Sequence, residues 1–221
     1  YGLGPSSDEE ARTSFREKGS TVLGTLGFRT RRRLKVGARV GWIDTNVGTG
    51  AAADVPSIEE VFGPAEVPGL AEQPDLLHWG GFLVGDLRDD PEEPSSGGYY
   101  EAQWTIYRDV SSTGYEFQDL LFDIRQFFSV SRKEVLALRL QSVSTFSGGI
   151  HDVPFYLQPS IGGPDSLLGF PGDRFRDRNA LVWNAEYRYA ISPNLRLGLL
   201  AEAGQVFPSW GELRGDAWKL S

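Results

Sequence analysis

Cysteine and methionine are both absent from the 221 residues, and only two histidines occur, His78 and His151. The lack of cysteine excludes a disulfide framework, a thiolate metal site and a thiol nucleophile. Two isolated histidines do not indicate a metal site, so we predict neither a metal nor a cofactor. Because residue 1 is not methionine, we expect the sequence to be a fragment, with any signal peptide lying upstream.

Long apolar runs are missing as well, because Glu, Arg, Gly or Pro interrupts every window of the roughly 18 residues that a spanning helix needs. A membrane role must therefore rely on strands. The formal charge of −8 and the shortness of the densest basic run, Arg29 to Lys35, exclude nucleic acid as an expected partner. A Gly-x-Ser-x-Gly nucleophile elbow is also absent, so the chemistry of a lipase would have to lie outside these residues.

What the sequence does contain is alternation of apolar and polar residues, the period-two pattern of β-strands. In the stretch from Asn179 to Tyr189, for example, Trp183 and Tyr187 share one face while Asn184 and Glu186 share the other. The pattern predicts an all-β antiparallel meander with roughly eight strands of membrane-spanning length. The alternating segments are 20–29, 34–42, 77–88, 100–106, 120–125, 136–141, 179–189 and 195–204.

The connections between these segments fall into two classes, as in outer-membrane barrels, where short turns lie at one end and long loops at the other. We expect turns at 30–33, 90–98, 129–133 and 192–194, and loops at 47–74, 109–114 and 147–178. In the first long loop, Ser57 to Glu60 has the form of a capping box opening a helical turn. That loop is read as packing over its own barrel mouth, with a lid or partner-binding segment as the alternative.

The two faces of the predicted strands differ in a way that favours a barrel over a soluble sandwich. One face carries aromatic residues at both ends, like the girdles of a membrane barrel: Trp42 and Trp79 at the loop end, and Tyr100, Phe128, Tyr187 and Tyr189 at the turn end. The other face carries charges that imply a wet lumen: Lys35, Arg39, Asp86, Glu101, Asp119, Asp123, Arg125, Arg139, Glu186, Arg188, Arg196 and Glu202.

The most informative stretch is the glycine-rich loop that precedes the strand at 179. It reads Gly162-Gly163-Pro164-Asp165-Ser166-Leu167-Leu168-Gly169-Phe170, and Arg174-Phe175-Arg176-Asp177-Arg178 and Asn184-Ala185-Glu186-Tyr187-Arg188 follow it. Together these residues resemble the signature of the bacterial surface antigen family, the outer-membrane barrels of the BamA/TamA type. The resemblance covers most of the chain, from Tyr1 to Phe207.

The resemblance implies which part of a barrel the chain forms, where in the cell it lies and what it does. About sixteen strands close the barrel in that family, so residues 1–221 would form part of one barrel domain. The expected location is the bacterial outer membrane, and the expected partners are membrane lipid and client outer-membrane proteins or periplasmic assembly factors. The family inserts or translocates protein or lipid at that membrane, without catalytic residues.

The resemblance also implies a site inside the lumen. In the family an arginine just before the Gly-Phe pair meets acidic residues on the next two strands, and here that position is Leu168. The matching acids are Glu186 and Glu202. A carboxylate in a poorly hydrated lumen needs a partner, so we expect Arg174, Arg176 or Arg188 to replace the missing arginine. The alternative is that the lumen is wet enough for neither acid to need one.

The implied loop motif comprises Gly162, Gly163, Leu168, Gly169, Phe170, Arg174 and Arg176, with the glycines serving tight backbone turns. Two other functions stay open at this point. One is a passive porin or the membrane anchor of a larger protein, such as one that carries a lipase domain. The other is a soluble enzyme built on paired carboxylates, for which the many acid pairs are no specific evidence.

Overall fold

The computed structural model of the chain describes residues 1–8, 10–30, 33–63, 66–149, 151–192 and 195–221. Its described part is all-β, with eight long strands in one antiparallel meander, as the alternation predicted. The long strands are β1 (Phe15–Arg29), β2 (Leu34–Thr49), β3 (Leu76–Asp86), β4 (Gly97–Asp109), β5 (Glu116–Ser131), β6 (Glu134–Ser147), β9 (Asn179–Ser192) and β10 (Leu195–Phe207).

Short elements complete the architecture. They are the helix α1 (Ile58–Val61), two 3-10 turns (Phe155–Leu157 and Trp210–Glu212), and the strands β7 (Ser160–Ile161), β8 (Phe175–Arg176) and β11 (Lys219–Leu220). The order in the main sheet is β1-β2-β3-β4-β5-β6-β9-β10-β11, while β7 and β8 pair with each other inside the connection between β6 and β9. The short β11 pairs antiparallel with β10 at Ala203 and Gly204.

The strands extend beyond the segments in which alternation is clean. Strand β5, for example, runs over Glu116–Ser131, whereas alternation marks only 120–125. At the turn end of the strand, Phe127 and Phe128 place apolar side chains on both faces. At the loop end, Phe117 stands on the inner face and is buried with Val153 of the long loop. The alternation of apolar and polar residues is therefore lost at both ends of the strand.

The sheet is curved, and its two faces match the sequence prediction. Large apolar side chains stand on the outer face with much of their surface exposed, as at Phe28, which is 69% exposed, and Leu197, which is 51% exposed. The charged residues stand on the inner face, where Asp123 pairs with both Arg125 and Arg139. A soluble sandwich would turn its apolar face inward, so this arrangement excludes that architecture for the described sheet.

The connections segregate largely as expected. Residues 132–133 join β5 to β6 at the turn end, and 87–96 join β3 to β4 at the same end, while 50–75, 110–115 and 148–178 lie at the loop end. The predicted turns at 30–33 and 192–194 fall partly on residues 31, 32, 193 and 194, outside the described residues. Of the described helices, none is long and apolar enough to cross a membrane.

The predicted capping box does not form, although helix α1 does. Ser57 makes no side-chain cap to its own helix. Its hydroxyl instead accepts a hydrogen bond from the Gly50 amide at 2.9 Å and donates to Glu59. The loop of 47–74 packs on the other long loop: Ile58 and Val67 bury themselves against Phe155. This contact between loops agrees with packing over the barrel mouth.

Candidate functional site: the lumen loop and its wall residues

The glycine-rich loop from Gly162 to Phe170, which we call the lumen loop, turns inward and lies against the concave face of the sheet. Gly162 and Gly163 begin the turn with φ angles of +122° and +82°, a region that disfavours any side chain. A Cβ at Gly162 would stand 2.1 Å from the Pro171 carbonyl oxygen, so only glycine fits there. Ser166 closes the turn, since its hydroxyl accepts from the Gly162 amide at 2.8 Å.

One leucine anchors the loop by apolar packing. The Leu167 side chain is 0% exposed and lies in a cluster with Ile161, Phe175, Val182 and others. Gly204 on β10 makes room for it, because a Cβ there would stand 3.2 Å from Leu167 Cδ1. Phe170 packs on the edge of the same cluster, with its ring centroid 5.4 Å from that of Phe175.

Three wall residues hold the loop by polar contacts, and they stand side by side on consecutive strands. The register pairs Arg139 of β6 with Asn184 of β9, and Asn184 with Glu202 of β10. Period-two strands present all three side chains to the same face. They therefore form one row across the inner wall, which we call the latch row.

Each member of the latch row contacts the backbone of a different loop residue. Arg139 Nη1 donates to the Asp165 carbonyl oxygen at 2.7 Å, and Asn184 Nδ2 donates to that of Ser166 at 2.8 Å. Glu202 Oε2 accepts from the Leu168 amide at 2.6 Å. Because these contacts use main-chain atoms, they fix the path of the loop without requiring particular loop side chains.

Leu168 thus contacts Glu202, one of the two acids implied by the resemblance, but it does so through its backbone amide. Its side chain points away and is 62% exposed, whereas Glu202 is only 6% exposed. The second Glu202 oxygen accepts from Asn184 Nδ2 at 3.0 Å. The buried carboxylate is therefore satisfied by an amide N–H and a side-chain amide, which removes the need for a guanidinium.

Glu186 and Glu202, the two acids predicted to meet an arginine, have different partners. Glu186 stands one row nearer the turn end than Glu202, opposite Leu200 in the register. Among the described residues its hydrogen-bond partner is Arg188 rather than the loop, and Arg188 Nη2 pairs with it at 2.6 Å. Of the three arginines proposed to replace the missing one, Arg188 pairs with one of the two predicted acids, Glu186.

The proposal that Arg174 or Arg176 meets one of these acids is wrong. Arg174 stacks on the Phe175 ring, 4.5 Å from its centroid, and donates to the Ser7 hydroxyl at 2.8 Å. Arg176 donates to the Phe155 carbonyl oxygen at 2.8 Å, and burial lowers the pKa of its guanidinium. Both side chains tie the loop to other loop-end segments, because the tight turn at Gly162 carries them away from the lumen wall.

Gly169 lies at the outer end of the lumen loop, beside the last residues of the chain. Its amide donates to the Ser221 hydroxyl at 2.7 Å. The Ser221 backbone in turn exchanges two hydrogen bonds with that of Glu202, at 2.9 and 3.0 Å. The loop, β10 and the segment after β11 therefore meet at one point.

A cavity of about 420 Å³ lies below the loop, toward the turn end. Arg125, Arg139 and Arg188 line it together with Glu186 and Glu202. The charges of the two signs are matched closely enough to suit a hydrated lumen rather than a selective ion site. Within the described ranges, no three Asp, Glu or His side chains converge as a metal site would require.

The sequence prediction named Glu202 and Leu168 but missed two members of the latch row, Arg139 and Asn184. Both were identified as inward-facing positions, without a role in holding the loop. Their role follows from the strand register, which places them beside Glu202. Aligning the predicted strands by their turns could have found them, although register is hard to fix without the turn residues.

Comparisons with known proteins bear on the fold. No protein-family model and no curated protein matches the sequence. Among solved structures, BamA from Haemophilus ducreyi lacking POTRA domains 1–3 is similar over 91% of this chain, with a TM-score of 0.67 and 15% sequence identity. The chain has the fold of part of that barrel. It spans 44% of the length of that structure.

Proposed function

We propose that this chain is part of an outer-membrane β-barrel that inserts or translocates protein or lipid, in the manner implied by the BamA/TamA resemblance. The observation that carries the proposal is the inward loop held by the latch row. A barrel whose longest loop is fixed to three adjacent wall strands has its shape set from inside. Such a brace suits a protein that must hold its barrel shape while other strands engage it.

The outer face supports a location in lipid. Large apolar side chains on it are exposed, from 36% at Tyr189 to 69% at Phe28, and a soluble monomer rarely exposes a contiguous patch of that kind. The expected surroundings are therefore the hydrocarbon core of the bacterial outer membrane, with the charged inner face lining a wet lumen. The function is mechanical and involves no catalytic residue, cofactor or metal.

Depletion of the intact protein tests the function. If the protein inserts other barrels, its loss should lower the amounts of several unrelated outer-membrane proteins, measured by quantitative mass spectrometry of outer-membrane fractions. The second candidate, a passive porin or anchor, is favoured by the charged cavity below the loop. In that case the amounts should stay constant while uptake of small solutes falls, and the proposal would be wrong.

A designed disulfide tests the inward loop separately. A Cβ at Gly169 would stand 3.3 Å from the Ser221 Cβ, close to the separation found in disulfides. The double variant Gly169→Cys/Ser221→Cys should therefore crosslink on oxidation in the outer membrane, and the other described residues supply no competing thiol. Gly172→Cys/Ser221→Cys is the matched control, because a Cβ at Gly172 meets nothing within 4 Å.

A further inference from the structure

The connection between β3 and β4 is unlike the other described turn at its end of the barrel. The turn between β5 and β6 has two residues, whereas the segment 87–96 has ten. Its centre reads Asp89-Asp90-Pro91-Glu92-Glu93-Pro94, with four acids and two prolines. We call this segment the acidic turn.

The acidic turn has a defined conformation. Asp89 Oδ1 accepts from the amides of Asp90, Ser95 and Ser96 at 3.0, 2.9 and 3.1 Å. Asp90 Oδ1 accepts from the Glu92 amide at 2.8 Å. The Ser95 hydroxyl and these amides lower the pKa of the Asp89 carboxyl, which stays ionised at any physiological pH. The turn therefore projects from the sheet as a preformed hook.

The root of the hook is fixed to the wall. Arg88 donates from Nε and Nη2 to the two oxygens of Asp86, at 2.8 and 2.9 Å, and from Nη1 to the Pro91 carbonyl oxygen at 3.0 Å. Gly97 closes the turn with a φ of +91°, where a Cβ would stand 2.2 Å from the Leu87 carbonyl oxygen. Both ends of the segment are thus held in place.

The tip of the hook reaches strands that are not its neighbours in the sheet. Arg188 of β9 donates from Nη1 to the Pro94 carbonyl oxygen at 3.4 Å, and Pro94 is buried. Arg196 of β10 forms an ion pair with Glu93. Two strands, β5 and β6, separate β4 from β9 in the sheet order. The hook therefore crosses the concave side of the described sheet instead of following the wall.

Arg188 also connects the hook with the cavity below the lumen loop. Its other terminal nitrogen pairs with Glu186, and its guanidinium lies 5.9 Å from the centroid of the Phe127 ring. Arg188, Glu186 and Phe127 all line the cavity. The lumen loop contributes Pro164 and Asp165 to this cavity, and Arg188 both lines the cavity and donates to the hook at Pro94.

We propose that the acidic turn is a plug that closes the turn-side mouth of the lumen, held across it by Arg188 and Arg196. The plug limits passive flow of small solutes through a barrel whose interior is wet and charged. In the ion pair at its tip, the side chains of Arg196 and Glu93 are 51% and 52% exposed, so salt screens the pair readily. The plug is independent of whether the barrel inserts other proteins.

Crosslinking in the intact protein tests where the tip lies. Glu93→Cys/Arg196→Cys should form a disulfide in the outer membrane on mild oxidation. Asp54→Cys/Arg196→Cys should form none, since Asp54 lies in the loop at the opposite end of the barrel. The proposal is overturned if the Glu93 pair stays reduced while a membrane-impermeant maleimide, added to spheroplasts, labels both thiols.

Charge variants then test the seal. Glu93→Lys removes the ion pair and repels Arg196, so we expect a severalfold rise in single-channel conductance over wild type at the same salt concentration. Glu92→Lys makes the same charge change on a residue with no contact across the lumen, and Glu93→Lys/Arg196→Glu restores the pair with reversed signs. Equal conductance of Glu93→Lys and Glu92→Lys, with both barrels folded by gel heat-modifiability, would refute the plug.

Discussion

The two halves of β10 have opposite surroundings, although one strand contains both. Residues Leu195 to Ala201 are exposed throughout, whereas Glu202 to Phe207 are buried with the exception of Ala203, which is half-buried. The covered half lies under the lumen loop and beside β11, and Gly198 and Leu200 of the other half line the wet cavity. A single curved sheet therefore has no core of its own, and the loop supplies one at the loop end only.

The largest expected effect comes from removing the apolar anchor of that core. Leu167→Ala should lower the free energy of unfolding by about 3 kcal/mol, because the fully buried side chain leaves a cavity between β10 and the loop. Leu168→Ala is the matched control and should cost less than about 0.5 kcal/mol, since its side chain is mostly exposed. Urea unfolding of the intact protein in liposomes measures both.

The next effect concerns the polar side of the same contact. Glu202→Leu should lower the free energy of unfolding by about 2 kcal/mol, because the Leu168 amide and the Asn184 side chain lose a buried acceptor. Glu186→Leu should cost less, since Glu186 is 36% exposed, makes no hydrogen bond to the loop among the described residues, and leaves Arg188 with the Pro94 carbonyl oxygen as an acceptor. Equal losses in the two variants would show that the loop does not rest on Glu202.

Much of the fold follows from the sequence because a strand needs only local information. Alternation at 34–42 and 179–189 located β2 and β9, and the aromatic and charged faces predicted which side meets lipid. The ends of β5 were missed where Phe117 and the pair Phe127-Phe128 interrupt the alternation. Phe117 is buried by a loop that is distant in sequence, which no local pattern records.

The candidate site was less predictable, because its contacts join residues through the strand register and the loop backbone. The resemblance located Glu202 and the loop, but it assumed that a side chain must meet the acid. A backbone amide does so instead, and amides have no signature in the sequence. The positions of Arg174 and Arg176 were predicted wrongly because the path of the loop after the turn at Gly162 decides where these side chains point.

The pH dependence of stability offers a smaller test at the loop end. Burial raises the pKa of Asp177, which lies between β8 and β9, above its ordinary value. The folded state therefore favours the protonated carboxyl, and stability falls as pH rises from about 4, the unfolded pKa, through the folded pKa. Asp177→Asn should remove this loss, so its gain over wild type should be absent in acid and present at neutral pH.

Asp54→Asn is the control for that experiment, because Asp54 is exposed at the same end of the barrel. Its stability should follow that of the wild type at every pH. Urea midpoints of the three proteins between about pH 3.5 and 8 give the comparison. A constant difference between Asp177→Asn and the wild type across this range would exclude Asp177 as the titrating group.

The smallest expected effect comes from introducing, at position 168, the arginine that the BamA/TamA resemblance led us to expect there. Leu168→Arg should change the free energy of unfolding by less than about 0.5 kcal/mol, because the side chain at this position points into solvent and Glu202 already has two donors. A double-mutant cycle with Glu202→Gln should give a coupling energy near zero. A coupling above about 1.5 kcal/mol, as expected for a charged hydrogen bond, would mean that the arginine displaces the backbone contact. In that case Glu202 of the latch row could hold the loop either through a backbone amide or through an arginine side chain. The backbone contact would then form because residue 168 is leucine, and it would not be a fixed property of the wall.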